Sequence, residues 1–215
     1  MTLSTWLSFC VAAVLISVSP GPGAVFAMST GMRRGYVRTL PGIAGMQLGV
    51  ALQLLVVAIG LGAVLATSTH ALTVIKWIGA AYLIWLGWRQ FFARSQSNES
   101  SVRKDGGRDQ GHQASAAKVF LQGFLVNASN PKATVFFLAV LPQFLDATQP
   151  LAQQYLAMAA TLTVVDLFVM SGYAVLSSRM SRLLRKPAHV RWIDRLFGSL
   201  FMLAGVVLAS WKRAA

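Results

Sequence analysis

The chain has 215 residues, of which 55% are hydrophobic and only 12% are charged. Its mean hydropathy is +0.59. Soluble globular domains carry roughly 25% charged residues, so the composition excludes an ordinary soluble protein and indicates one that lipid surrounds. The length suits one compact unit, with no room for a further soluble domain of normal size.

The net charge of +13 does not indicate a nucleic-acid partner. A nucleic-acid-binding protein places its basic residues beside aromatic side chains on an exposed face. Here the basic residues form short clusters between apolar stretches, as membrane topology requires. The single cysteine, Cys10, lies within an apolar stretch. It excludes a disulfide within the chain and argues against a thiolate metal cluster.

Six apolar stretches are long enough to cross a bilayer as helices, which takes roughly 20 residues each. They lie near residues 3–28, 40–66, 71–92, 117–145, 151–177 and 192–211. The first stretch resembles a signal peptide that ends at Ser19–Ala24, but no Lys or Arg precedes it, and a signal peptide requires a basic start. We therefore expect an all-α integral membrane protein with six retained transmembrane helices.

The segment 94–116 is the one long polar stretch, rich in Ser, Gln, Gly and charged residues and without an apolar periodicity. It predicts a flexible loop that divides the chain into two three-helix repeats, 1–93 and 117–215. His112 lies alone in this loop, where a histidine is most often simply solvated.

The basic residues predict the orientation of the helices. Fifteen of the nineteen Lys and Arg residues fall on one side of the predicted membrane. They are Arg33, Arg34, Arg38, Arg89, Arg94, Arg103, Lys104, Arg108, Lys118, Arg179, Arg182, Arg185, Lys186, Arg191 and Arg195. The opposite links, Thr67–His70 and Asp146–Gln149, carry none. By the positive-inside rule, segment 94–116 is cytoplasmic and both termini are periplasmic. Tryptophans near the predicted helix ends fit an interfacial belt: Trp6, Trp77, Trp88, Trp192 and Trp211.

The two halves of the chain resemble each other. The third helix begins Lys76-x-x-Gly79-x-x-Tyr82-Leu83, and the sixth begins Arg195-x-x-Gly198-x-x-Phe201-Met202. Ser19–Ala24 in the first helix matches Ser129–Ala133 in the fourth when Pro22 is placed on Pro131. Three helices end on the side of the membrane opposite to the one where they began, so the second half enters from that opposite side. Two related halves therefore form a 3+3 inverted repeat, a common transporter plan.

Each half has a proline break in its first helix, so helices 1 and 4 are expected to be interrupted. Proline removes a backbone donor and frees the carbonyl one turn earlier, and freed groups must meet protein or water rather than lipid. Breaks at matching positions mark the substrate site in transporters; the alternative is a pair of packing kinks. The predicted substrate-binding residues at the breaks are Pro20, Gly21, Pro22, Asn130, Pro131 and Lys132.

Asp166 is the only acidic residue deep inside a predicted helix, about 22 Å from the start of the fifth helix. An ionisable residue inside the membrane is costly and is a functional candidate, and protonation neutralises it, which suits a proton carrier. Lys132 either receives a substrate carboxylate or pairs with Asp166, and a purely structural ion pair is the alternative.

Neutral side chains in the predicted helices offer hydrogen bonds that suit a zwitterion, although such side chains also hold helices together. They are Gln47, Gln53, Asn127 and Asn130. Glycines are assigned to close helix packing or rocking: Gly31, Gly35, Gly42, Gly45, Gly49, Gly60 and Gly62.

These residues resemble the LysE/RhtB family of bacterial amino-acid exporters (homoserine-, threonine- and leucine-type efflux proteins) over nearly the whole chain. The motifs are Ser19-Pro20-Gly21-Pro22 followed by Gly31, Arg34, Gly35, Gly42 and Gly49; Lys76-x-x-Gly79-Ala80-x-Tyr82-Leu83-x-x-x-Gly87; Phe120-x-x-Gly123-x-x-x-Asn127-x-x-Asn130-Pro131-Lys132-Ala133 with Phe136-Phe137 and Pro142-Gln143-Phe144; and Arg195, Gly198 and Gly205. In this order and spacing they are specific together. Gly23 departs from the family, whose members often carry Asn or Asp there.

The resemblance implies a multi-pass transporter of the bacterial inner membrane that exports amino acids or small derivatives by proton antiport. Its partners would be the amino acid, protons and the lipid bilayer, and it is compatible with a homodimer; no cofactor is expected.

A divalent-metal exporter of a related fold is the nearest alternative. It needs clustered ligands, whereas His70, His112 and His189 fall in predicted links and no two acidic residues share a helix core. A membrane enzyme would need a nucleophile–base pair or metal motif on a helix face, which we do not find. A non-transporting membrane scaffold would not need paired proline breaks and an intramembrane Asp166.

Overall fold

The computed structural model describes residues 1–67, 69–92, 115–146 and 148–179, and most positions between 195 and 210. In these residues all regular secondary structure is helical, so the all-α prediction is confirmed. The helices are α1 (Leu3–Val18), α2 (Pro22–Arg34), α3 (Tyr36–Thr67), α4 (Thr69–Phe91), α5 (Ala116–Ala128), α6 (Pro131–Phe144) and α7 (Leu151–Arg179). The described positions between 195 and 210 are also helical.

Two of these helices are long and apolar enough to cross a membrane as they stand: α3, over Tyr36–Gly60, and α7. Two bent pairs meet the same requirement when each is taken as one span. The axes of α1 and α2 differ by 55°, and those of α5 and α6 by 50°. The described residues therefore hold two to four candidate spans, which supports an integral membrane protein, while the six-helix arrangement stays a prediction.

The first bend lies between α1 and α2, at the predicted proline break. Pro20 has no N–H to continue the helix, and its ring would clash with the carbonyl one turn earlier. The last helical hydrogen bond of α1 runs from the Ser19 N–H to the Leu15 carbonyl at 3.1 Å. Pro22 then opens α2 at its first position, where a missing N–H costs little because that group has no partner within the helix.

The second bend lies between α5 and α6 and is built in the same way. Pro131 is the first residue of α6, and Asn130 caps the helix by accepting a hydrogen bond from the Lys132 N–H at 3.1 Å. The structure therefore has both predicted proline breaks, and in each of them a proline begins the second half-helix.

The helices extend further than predicted around the first basic cluster. Arg33 and Arg34 end α2, and Arg38 lies in the first turn of α3, so none of the three lies in a loop. Gly35 alone separates the two helices. Its φ of 75° is left-handed, which favours glycine, and its N–H caps α2 by donating to the Gly31 carbonyl at 2.9 Å.

Two other predicted boundaries differ from the structure. His70, predicted to lie in a link, belongs to the first turn of α4, because α3 runs to Thr67 and leaves almost no link. Ala116, predicted as the end of the central loop, begins α5, and the Ser115 hydroxyl caps that helix by accepting from the Lys118 N–H at 3.3 Å.

A hydrogen-bonded turn joins α6 to α7. The Thr148 hydroxyl and N–H donate to Asp146 Oδ1 at 2.6 and 2.9 Å, and these bonds hold the pKa of the Asp146 carboxyl below its usual range. Gln154, buried in α7, accepts from the Asp146 N–H at 2.9 Å and donates to its carbonyl at 2.8 Å. The first turn of α7 therefore fixes the turn before it.

Glycines bring helix backbones into direct contact, as predicted for Gly42, Gly45 and Gly49. Gly45 and Gly49 of α3 face the backbone of α5: a Cβ on Gly49 would lie 2.8 Å from the Phe124 carbonyl oxygen, and one on Gly45 would overlap the Phe120 carbonyl. The Gly42 carbonyl lies against Gly123 of α5. Small residues permit this approach because no side chain separates the helices.

The other predicted packing glycines behave differently from one another. A Cβ on Gly31 of α2 would lie 2.6 Å from the Ala174 carbonyl of α7, so these helices also touch through their backbones. In contrast, a Cβ on Gly60 would meet no described atom within 4 Å, so Gly60 is not a packing contact among the described residues. Gly87 of α4 faces the Gly198 carbonyl, which joins α4 to the helical positions after 195.

Among the residues that the structure describes, buried apolar side chains form two clusters. The larger cluster is drawn from α1, α3, α4, α6 and α7 and includes Phe9, Val57, Phe137, Leu141 and Met158. The smaller cluster consists of Ala27, Ile43, Met46, Met170 and Ala174, from α2, α3 and α7. The larger one contains the N-terminal half of α7 and the smaller one its C-terminal half, so they lie at opposite ends of the bundle.

Several predictions lie outside the described residues. They are the flexible loop over positions 94–114 with His112, the basic link over 180–194 with His189 and Trp192, and Trp211.

Candidate functional site

A small cavity lies where the two breaks meet. Its volume is about 50 Å³, enough for about three to five water molecules at roughly 10–15 Å³ each. Its polar lining consists of Ser17, Ser19, Asn127, Asn130, Lys132 and Asp166. Its apolar lining includes Ile16, Val50, Phe137 and Leu162 on the side of the larger cluster and Met170 on the side of the smaller one. The cavity is thus a polar chamber between two apolar clusters.

Carbonyls freed by the first break bind side chains from the second half of the chain. Lys132 Nζ donates to Ser19 Oγ at 2.7 Å, to the Ser19 carbonyl at 3.0 Å and to the Pro20 carbonyl at 3.4 Å. Tyr173 of α7 donates its hydroxyl to the Val18 carbonyl at 2.5 Å. The end of α1 carries partial negative charge from its unpaired carbonyls, which stabilises the Lys132 ammonium.

A side chain from the first half holds the second break. Gln53 of α3 is 5% exposed, and its Nε2 donates to Thr134 Oγ1 at 2.7 Å, to the Asn130 carbonyl at 3.0 Å and to the Ala128 carbonyl, at the end of α5, at 3.5 Å. Its Oε1 is buried and has no hydrogen-bond partner in the described part of the chain. Each break is therefore held by polar side chains from the opposite half, which meets the need to satisfy freed backbone groups inside a membrane.

Asp166 enters the cavity from the middle of α7 and is 7% exposed. Gln47 of α3 donates its Nε2 to Asp166 Oδ2 at 2.8 Å, and the Ser17 hydroxyl forms a second hydrogen bond with the same carboxylate. The carboxylate thus connects α7 to α3 and α1. An ionisable group so placed, and linked to polar partners, is a candidate for transport chemistry.

Most predicted site residues meet at this place. Gly21, Asn127, Asn130, Lys132 and Asp166 line the cavity. The remaining ones lie behind the wall. Pro20 gives its carbonyl to Lys132, Gln47 holds Asp166, and Pro22 and Pro131 begin the helices whose first turns form part of the wall. Asn127 also donates to the Met46 carbonyl at 3.2 Å, which ties α5 to α3.

Lys132 and Asp166 share no described hydrogen bond, in contrast to the structural ion pair that the sequence left open as an alternative. The hydrogen bonds described for Lys132 Nζ go to the first break, whereas those described for Asp166 come from Gln47 and Ser17. Both residues line the same cavity. Each therefore has its own polar support, and the two charged groups face one chamber.

Several residues of the site are absent from the predicted substrate-binding residues. Ser17 and Ser19 both face the cavity, and their signal was two hydroxyls spaced two residues apart just before the Pro20 break. Tyr173 gave no comparable signal, because only the folded structure places its hydroxyl near the end of α1. Gly23 faces Asn127, and a Cβ there would lie 3.0 Å from Asn127 Oδ1.

The comparisons with known proteins identify the family of the chain. The model of the LysE type translocator family matches residues 14–211. The chain is 37% identical over 214 residues to the homoserine/homoserine lactone efflux protein of Salmonella typhimurium, and the match covers 100% of both chains. It is 37% identical over 212 residues to an uncharacterized membrane protein of Vibrio cholerae, covering 99% of this chain and 100% of the relative.

A leucine efflux protein of Klebsiella pneumoniae is 26% identical over 200 residues, with coverage of 92% and 91%. No solved structure matches the chain. The family model matches residues 14–211, and the match to the Salmonella typhimurium relative covers 100% of both chains, so this chain belongs to the family of LysE type translocators.

Proposed function

We propose that this protein exports amino acids or small derivatives of them across the bacterial inner membrane. The cavity carries the proposal, because it holds the Asp166 carboxylate and the Lys132 ammonium at the junction of two broken helices. In transporters such junctions bind charged substrate groups. The efflux of homoserine, homoserine lactone and leucine by related proteins of this family supports the same substrate class.

The lining suggests how an amino acid would lie in the cavity. Its ammonium would face Asp166. Its carboxyl end would face the start of α2, where the N–H groups of Gly23 and Ala24 precede the first intrahelical donor, Val25. A helix N-terminus carries partial positive charge and attracts anions. Homoserine and its lactone share the amine, whereas the lactone has no free carboxylate, so a site that accepts both depends on the amine.

The proposed architecture has six transmembrane helices as a 3+3 inverted repeat, with repeats over 1–93 and 117–215. The packing supports it. Helix α3 contacts both halves of the second broken helix, α5 and α6, and α7 contacts both halves of the first, α1 and α2. Likewise α1 contacts α6 and α2 contacts α5. Contacts that recur when the two halves are exchanged are expected of a repeat.

The proposed orientation places the termini in the periplasm and segment 94–116 in the cytoplasm. Its support is that basic helix ends gather at one end of the bundle. Arg34 ends α2 and Arg179 ends α7, and these helices touch through Gly31 and Ala174 near those ends. Lys118 lies in the first turn of α5, which contacts the first part of α3. The positive-inside rule assigns this end to the cytoplasm.

Proton antiport is the proposed energy source, with Asp166 as the proton carrier. A cavity of about 50 Å³ is too small for an amino acid, so loading requires that one of the two apolar clusters opens. Alternate opening of the smaller and larger clusters would expose Asp166 to each side of the membrane in turn, as in transporters that rock one repeat against the other.

Reconstituted protein tests the substrate class. Proteoliposomes preloaded with unlabelled leucine or homoserine should accumulate the labelled amino acid by exchange, whereas liposomes without protein should not. Labelled Mn²⁺ tested in parallel should not accumulate. Uptake of Mn²⁺ without amino-acid exchange would replace this proposal by the divalent-metal exporter.

The Asp166→Asn variant tests the coupling. Asparagine keeps the size and hydrogen-bonding capacity of the side chain but fixes its charge at zero. We expect the variant to exchange amino acid at saturating concentration and to lose net transport driven by an imposed pH gradient. A full response to the gradient in the variant would exclude Asp166 as the carrier, and loss of the folded protein would assign Asp166 a structural role.

A further inference from the structure

Of Asp166 and Lys132, the two charged side chains among the described residues that line the cavity, Asp166 has hydrogen-bonding positions left for a ligand. A carboxylate offers about four acceptor positions. The described hydrogen bonds from Gln47 and Ser17 occupy two of them. Lys132 differs, because an ammonium has three donors and three oxygens at the first break already lie within 3.4 Å of Nζ. A cationic group of the substrate therefore has a better partner here than an anionic one.

Within the described ranges, Lys132 is the one other ionisable residue that lines the cavity beside Asp166. Among the described lining residues, α6 presents Lys132, whereas α1 presents Ser17, α2 presents Gly23 and α5 presents Asn127, all uncharged. From α3 the facing side chains are Val50 and Gln47. Tyr173 lies two turns further along α7, with its hydroxyl on the Val18 carbonyl. A proton that enters the cavity therefore has Asp166 as its acceptor.

We infer that the Asp166 carboxylate binds the substrate amine and the transported proton alternately, so that each excludes the other from the same cavity. This inference rests on the proposed function and deepens it. Neutralising the carboxylate removes the charge that holds the ammonium, and an ammonium on the carboxylate occupies the acceptor that a proton needs. Competition at one group then accounts for antiport without a second proton site.

The exchange balances in atoms and charge. When a substrate ammonium arrives at protonated Asp166, the carboxyl O–H bond breaks, the proton leaves to water, and the ammonium pairs with the resulting carboxylate. In the reverse step a proton from the opposite side reforms the carboxyl group, and the ammonium leaves with all its own protons. One proton is released for each amine bound, and no oxidant, reductant or further reactant takes part.

Proton release on binding tests this inference. Purified protein in weakly buffered detergent solution is titrated with L-homoserine at several pH values, while a pH-indicator dye and calorimetry follow the protons released and the ligand bound. Where Asp166 is protonated we expect about one proton per ligand, and the affinity should fall about tenfold per pH unit as the pH is lowered. The same molecule without its amine, 4-hydroxybutyrate, should release no proton.

Two variants assign the proton to Asp166. Asp166→Asn should bind L-homoserine more weakly, with a pH-independent affinity and no proton release, whereas Asp166→Glu, which keeps the acid, should still release protons. Asp146→Asn is the matched control, because Asp146 lies in the turn before α7 and not in the cavity. It should behave as the unmodified protein.

The outcomes separate the two proposals. L-homoserine binding at constant affinity without proton release would overturn the shared site and leave the exporter assignment intact. Undiminished proton release in Asp166→Asn would overturn it as well. Failure of the unmodified protein to bind either L-homoserine or leucine would overturn the proposed function together with this inference. If Asp166→Asn does not fold, the pH dependence of L-homoserine affinity in Asp166→Glu and in the unmodified protein decides whether the amine and the proton share one site.

Discussion

Lys132 takes a position that a metal ion occupies in some other transporters. Where a transmembrane helix is unwound, bare carbonyls often coordinate Na⁺. At the first break of this protein, two carbonyls and the Ser19 hydroxyl surround the Lys132 ammonium instead. The side chain is thus a cation attached to one half of the chain that stabilises the break in the other half.

The Lys132→Ala variant tests this role. It leaves the Ser19 and Pro20 carbonyls without the ammonium, which should destabilise the protein by about 1–3 kcal/mol, the cost of an unsatisfied buried polar group. Propylammonium replaces the atoms removed beyond Cβ and should restore part of the thermal stability in detergent, whereas the uncharged 1-propanol should not. Equal effects of the two additives would show that the charge does not matter.

Gly23 sets the space available beside Asn127. A Cβ at this position would lie 3.0 Å from Asn127 Oδ1, 3.6 Å from Met46 Sδ and 3.8 Å from Met170 Sδ. The Gly23→Ala variant should therefore narrow the cavity and reduce export of leucine about tenfold more than export of alanine, since one methyl group in a pocket is worth about 1–3 kcal/mol.

Competition export assays on cells that express the Gly23→Ala variant measure the leucine-to-alanine ratio. Gly172→Ala is the control, because a Cβ on Gly172 would meet no described atom within 4 Å. An unchanged ratio in Gly23→Ala would show that Gly23 does not limit the size of the substrate.

At the level of single residues, the sequence identified the chemical groups better than their partners. Asp166 and Lys132 were found because ionisable residues are rare inside apolar helices. Their hydrogen-bond partners could not be inferred from spacing, because a long side chain reaches acceptors on any neighbouring helix. Thus Lys132 donates to the Ser19 and Pro20 carbonyls. The described hydrogen bond to Asp166, at 2.8 Å, comes from Gln47 and not from Lys132.

Among the helices, α3 shows most clearly how packing depends on the face that a glycine occupies. Gly45 faces the Phe120 carbonyl of α5, whereas Gly60, on the same helix, is exposed and has no described atom near its missing Cβ. The sequence assigned both glycines to helix packing, since a glycine alone does not reveal which face of a helix it occupies. Only the position of the neighbouring helix distinguishes them.

A matched pair of alanine variants on α3 measures this difference. Gly45→Ala should force α3 and α5 apart and destabilise the protein by about 1–3 kcal/mol, as overpacking does. Gly60→Ala should change the stability by about 0.5 kcal/mol or less. Unfolding in mixed micelles followed by tryptophan fluorescence gives both values, and equal stabilities for the two variants would contradict the α3–α5 contact.

The breaks were predictable at the level of elements because their cause is local. Proline ends a helix wherever it stands, so the bends between α1 and α2 and between α5 and α6 follow from Pro20, Pro22 and Pro131. Helix ends without such a residue were less certain. The pattern predicts a link at Arg33 and Arg34, yet α2 continues through both residues because Arg is a good helix former. The helix ends only at Gly35.

In the whole molecule, the polar chamber separates two apolar clusters of unequal size. In the described part of the chain, the larger one joins α1, α3, α4, α6 and α7, and the smaller one joins α2, α3 and α7. Fewer side chains must separate for the smaller cluster to open, so in the conformation described the chamber is closed more firmly towards the end that contains the N-terminus. In the proposed orientation that end is periplasmic, and the smaller cluster faces the cytoplasm, from which an exporter loads its substrate.

The orientation itself is the last prediction, and it decides on which side the substrate is loaded. Reporter fusions at Ser97 and after the last residue should lie on opposite sides of the membrane, with Ser97 in the cytoplasm. The physical reason is that fifteen of nineteen basic residues fall on the side of Ser97 and resist translocation.

A fusion at Gln149, in the link without basic residues, is the control and should report the same side as the C-terminus. The same side for Ser97 and the C-terminus would contradict the six-helix arrangement and with it the inverted repeat, since an even number of spans after Ser97 is incompatible with a second three-helix repeat. A cytoplasmic Gln149 with a periplasmic Ser97 would keep the six spans and reverse the direction in which the smaller cluster opens.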